Sequence, residues 1–88
     1  MNTMRQKLAG VTMREVDDDL LVLDTETQRI HQLNATASFI WRCCGQAASA
    51  EEIAGLLAAE YAIDEHIALR DVAEALSQLR ELNLVVDG

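Results

Sequence analysis

Two adjacent thiols, Cys43 and Cys44, and two imidazoles, His31 and His66, are the side chains of this 88-residue chain best suited to redox, metal or acid–base chemistry. Zinc held by thiolates and imidazoles uses closely spaced ligand pairs of the CxxC kind, and neighbouring cysteines lack that spacing. A disulfide between neighbours is strained and staples no distant elements. The pair therefore reads as two small apolar residues closing a helix, with a redox role as the alternative. His31 could act as an acid or base, but no nucleophile stands near it in sequence. Asp17-Asp18-Asp19 offers carboxylates without the staggered oxygen ligands and turn glycine of a calcium loop, so it reads as a solvated turn. The glycines Gly10, Gly45, Gly55 and Gly88 are scattered and build no phosphate-cradling loop. No catalytic residue, metal ligand or cofactor is assigned.

The main chain offers more. Arg29-Ile30-His31-Gln32-Leu33 alternates as a strand, and Asn34 has the side-chain acceptor that caps a following helix. Ala37, Ile40, Trp41 and Cys44 then recur at helical spacing. If this strand lies at a sheet edge beside a helix, its unpaired N–H and C=O groups can accept another extended chain.

Around that junction the chain predicts a flexible lead-in over residues 1–10 and one domain over 11–88. Val11–Val16 and Leu20–Asp24 read as strands, the second apolar on both faces and so central or covered. Thr25–Gln28 is a connection of hairpin length, and Arg29–Leu33 is the third strand. Helices are predicted from Ala35 to Cys44, ending at a left-handed Gly45, from a Ser49–Glu52 capping box through Ile53, Leu56, Leu57 and Tyr61, and from about Asp64 to Leu82. Leu69, Val72, Leu76, Leu79 and Leu82 form the buried stripe of the last helix. Leu84-Val85-Val86 is a final short strand or a docked tail. The fold class is α+β, winged helix-turn-helix-like: a three-stranded antiparallel sheet followed by three helices.

A formal net charge of −8 argues against partners rich in phosphate, whether nucleic acid or an anionic membrane surface. No apolar run approaches the ~20 residues that cross a bilayer, which points to a cytoplasmic protein. Two alternatives to peptide binding stand. One is an acidic winged-helix transcriptional regulator, whose last helix would set Asp71, Glu74 and Glu81 against Arg70 and Arg80. The other is a homodimer formed through the same free edge.

The run from Gln32 to Trp41, then Glu51-Glu52-Ile53-Ala54, Asp71-Val72 and Leu79-Arg80-Glu81-Leu82-Asn83-Leu84-Val85, resembles the PqqD-like family over residues 11–86. These are small recognition domains of pathways that modify ribosomally made peptides. The Leu33-Asn34-x-x-Ala37-x-x-Ile40-Trp41 run is its most specific part. The DG dipeptide that often follows the family's first helix is Cys44-Gly45 here. The resemblance implies a peptide chaperone without catalytic activity. It would bind the leader segment of a precursor peptide and present it to a modifying enzyme, such as a radical-SAM protein or a leader protease. It implies a leader strand added along Arg29, Ile30, His31, Gln32 and Leu33, with Asp71, Val72, Ala75 and Gln78 of the last helix as the opposing wall.

Overall fold

Leu20, Val22 and Leu33 are buried between more exposed neighbours, and this alternation builds the sheet on which the helices pack. The computed structural model describes residues 3–6, 10–46 and 48–87. In chain order these form β1 (Thr3–Gln6), β2 (Val11–Val16), β3 (Asp19–Asp24), β4 (Arg29–Leu33), α1 (Ala35–Cys43) with a 3-10 turn at Cys44–Gln46, β5 (Ala48–Ser49), α2 (Ala50–Tyr61), α3 (Glu65–Glu81) and β6 (Val85–Asp87). The antiparallel sheet β2-β3-β4 followed by three helices is the α+β arrangement the sequence predicts.

Local chemistry sets the helix ends. Asn34 Oδ1 accepts from the Ala37 N–H at 2.8 Å, which starts α1 directly off β4. Ser49 and Glu52 form the predicted capping box, with the Glu52 N–H donating to Ser49 Oγ and the Ser49 N–H to Glu52 Oε1. α3 ends with Asn83 at a left-handed φ of 61°, the Leu84 N–H reaching back to the Leu79 carbonyl at 2.9 Å.

The core joins Leu20, Val22 and Leu33 to Ile40 and Trp41 of α1, Ile53 and Leu57 of α2, and Val72, Leu76 and Leu79 of α3. Trp41 is fully buried, and its indole N–H donates to the Leu84 carbonyl at 2.7 Å.

Several expectations are corrected. Residues 3–6, expected within a loose lead-in, form β1, which lies between β5 and β6 in a second small sheet. The tail thus becomes a strand paired with β1, with Met4 opposite Asp87 and Gln6 opposite Val85. Gly45 is not left-handed, because α1 tightens into the 3-10 turn instead. Leu56 is 54% exposed, since Ile53, Ala54, Leu57 and Ala58 make the buried stripe of α2. Ala68 rather than Leu69 continues the α3 stripe toward its N-terminus. Asp19 opens β3, leaving Asp17 and Asp18 as a two-residue turn.

Candidate functional site

β4 pairs with β3 on one side only, so the other side is a sheet edge among the described residues. The tail strand joins β1 rather than this edge. Which β4 groups face outward follows from the hairpin geometry. The two-residue turn at Asp17–Asp18 makes Val16 and Asp19 a hydrogen-bonded closing pair. By alternation Asp19, Leu21 and Leu23 bond toward β2, and Leu20, Val22 and Asp24 bond toward β4. Their partners Leu33, His31 and Arg29 are therefore tied to β3. Ile30 and Gln32 direct their N–H and C=O groups to the free edge.

Side chains alternate independently of those bonds. Leu33 is buried and His31 half-buried on the face that packs on the helices. Ile30, opposite Leu23, lies on the outer face and is 67% exposed. Gln32 shares that face and donates from Nε2 to Asp19 Oδ2 at 2.7 Å, a cross-strand bond that steadies β4 from outside.

Beside the edge, a cleft of about 250 Å3 opens between β4 and the end of α3. Asp24, Thr27, Arg29 and His31 line it on the sheet side, and Glu81, Leu82 and Asn83 on the helix side. Asp24 is buried and accepts from the Glu26 and Thr27 N–H groups, which holds the β3–β4 turn that forms one end.

Of the wall residues read from the sequence, Asp71 and Ala75 are half-buried and Gln78 is exposed. Val72 is the correction: it is 0% exposed and packs inward, so its side chain offers no surface to a ligand. Positions 71, 75, 78 and 82 share one helix face, and Leu82 is where that face meets His31 across the cleft. Glu81, Leu82 and Asn83 were not among the predicted wall residues, because only the packing of α3 against the sheet brings that end to β4. The spacing of Leu82 from Gln78 was the available signal.

The thiols take a different part. Cys44 is buried beneath α1 and Cys43 half-buried. Burial raises both thiol pKa values, that of Cys44 to about 11 with Cys43 alongside adding to the shift. The thiolate that redox or metal chemistry requires is thereby disfavoured. His66 lies exposed in the first turn of α3, far from both in sequence, and among the described residues no cluster of three or more His, Cys, Asp and Glu side chains is placed to hold a metal ion. No helix of the described residues is long and apolar enough to cross a membrane.

No curated protein matches the sequence significantly. Two solved structures share the fold over nearly their whole length. TbiB1 in complex with the TbiA(beta) leader peptide is 27% identical, with a TM-score of 0.79 over 92% of this chain and 93% of that one. Lasso peptide synthetase B1 complexed with the leader peptide is 25% identical, with a TM-score of 0.79 over 94% of this chain and 96% of that one. The family model described as coenzyme PQQ synthesis protein D (PqqD) matches residues 19–85, from the central strand through all three helices into the tail. On that match the chain belongs to the PqqD family.

Proposed function

We propose that this protein is a peptide chaperone that binds the leader segment of a ribosomally made precursor by strand addition along β4. In this reading it presents the leader to a peptide-modifying enzyme and catalyses no step itself. The observation that carries the proposal is the edge of β4, left without a partner strand among the described residues, with Ile30 and Gln32 directed outward beside the α3 cleft. Both solved relatives are complexes with leader peptides, which supports the same partner here.

The mechanism is physical. A leader in solution is disordered, and ordering it costs conformational entropy. Ladder bonds to the Ile30 and Gln32 main chain offset part of that cost, and burial of apolar side chains against Leu82 and Ala75 offsets the rest. A Kd near the micromolar range, about −8 kcal/mol, suits a segment of this size.

The test is calorimetric titration with the leader of a precursor peptide encoded near this chain. Ile30→Pro and Gln32→Pro each delete an outward donor and weaken binding at least ~10-fold, the loss of one well-made hydrogen bond. Leader binding by these variants at wild-type strength would rule out strand addition along β4.

A further inference from the structure

At the end of the sheet that carries the β2–β3 turn, where β4 runs into α1, that turn, α1 and the end of α2 border an open cleft of about 450 Å3. Phe39 and Tyr61 stand on it edge to face, their ring centroids 5.9 Å apart. Asp17 and Asp18 line it as well, and neither carboxylate has a partner among the described residues. Arg42 lines the same cleft, but its guanidinium is paired with Glu15, so that pair adds no net charge.

Ser38 provides an observation independent of charge. It is 3% exposed, lines the cleft, and its hydroxyl has no hydrogen-bond partner among the described residues. No described side-chain oxygen or nitrogen that is shut away from solvent lacks a partner, so the Ser38 hydroxyl opens to the cleft. Two free carboxylates, an aromatic pair and an unused hydroxyl are groups whose chemistry suits a planar cation.

We propose that this cleft receives an arginine side chain from the surface of the peptide-modifying enzyme and is the face by which the chaperone docks that enzyme. The proposal rests on the leader-presenting role described above. A guanidinium stacks on aromatic rings and donates in a fork that suits carboxylates, while its remaining N–H groups reach a hydroxyl acceptor. A chain of net charge −8 also steers a basic partner surface toward itself. The enzyme is favoured over the leader as the source because this cleft shares no lining residue with the one beside β4. The two sites lie toward opposite ends of the strands, one by the β3–β4 turn and the other by the β2–β3 turn, so both can be filled together.

The test compares wild type with the Asp17→Asn/Asp18→Asn variant. Asparagine keeps the size of each side chain and tolerates the left-handed φ of 56° at residue 17. The probe is the purified enzyme that processes the leader in the presence of the wild-type chain. Its Kd is expected to rise at least ~10-fold in the variant and to lose most of its salt dependence, while the leader Kd stays unchanged. Tyr61→Ala should weaken the enzyme in the same way. Independently of any enzyme, N-acetyl-arginine amide should shift the NMR amide signals of Ser38 and Tyr61, whereas the neutral citrulline analogue should not.

Equal shifts from both small molecules, or from neither, overturn the cleft. So does an unchanged enzyme Kd in a variant that still binds leader. A double variant that loses leader affinity assigns the cleft to the leader and overturns the proposal too. A wild-type chain that binds no leader removes the chaperone role first, and the docking role with it.

Discussion

The Trp41 indole N–H donates to the Leu84 carbonyl at 2.7 Å, joining the middle of α1 to the residue that precedes the tail strand. Gln6 Nε2 donates to the Trp41 carbonyl at 2.8 Å from the other side. One turn of α1 thus anchors both β1 and the residue that leads into β6, and β6 pairs with β1 rather than with β4. With the tail held there, no strand of the described residues covers the outer edge of β4.

Trp41→Phe keeps most of the ring but removes the N–H, leaving the Leu84 carbonyl buried without its partner. A loss of about 1–3 kcal/mol is expected in urea unfolding. A change in Tm below that expected from ~1 kcal/mol would mean that Leu84 finds another donor.

His31→Pro separates the two kinds of β4 group. His31 is tied to β3 in the ladder, so this substitution breaks an internal bond, lowers the stability of the whole domain by about 3 kcal/mol, and weakens leader binding only as a consequence. Ile30→Pro spares the β3–β4 ladder and should leave the far-ultraviolet circular dichroism spectrum and Tm close to wild type. If Ile30→Pro unfolds the domain and His31→Pro does not, the assigned alternation is reversed.

Cys44 gives the fold a pH limit. Its thiol is raised from 9.0 to about 11 by burial, so the folded state favours the protonated form. Below the unfolded value both states hold the proton and stability is fully present. As pH rises from about 9 toward 11 the unfolded chain ionises first, and stability falls through that window. Cys44→Ala should flatten the decline in denaturant midpoints measured across the same range.

α2 ends with Ala62 at a left-handed φ of 53°, where the Ile63 N–H reaches back to the Ala58 carbonyl at 3.1 Å. A Cβ is strained in this conformation, and Gly normally occupies the position. Ala62→Gly should raise stability by about 1 kcal/mol in spite of the freer unfolded chain. A lower Tm would show that the Ala62 side chain packs usefully.

Most of the site's local grammar was legible in the residues. Ile30 at the centre of an alternating run, Asn34 as cap and Trp41 on a helical stripe place a strand directly before a helix through contacts within a few positions. The Ser49–Glu52 box is local in the same sense, since it is a pair of hydrogen bonds between near neighbours. What the residues alone left open concerns partners distant in sequence. Thr3–Gln6 carries no pattern of its own and becomes a strand only because Ala48–Ser49 and Val85–Asp87 flank it. A helical stripe has no sharp border in sequence, so Val72 could be read both as core and as groove wall until packing buried it completely. Local periodicity therefore determined which segments are strands and helices. Only tertiary packing decided that the tail would pair with β1 and leave the outward edge at Ile30 and Gln32 without a partner strand among the described residues, because strand pairing across the chain is chosen by the burial of the whole core.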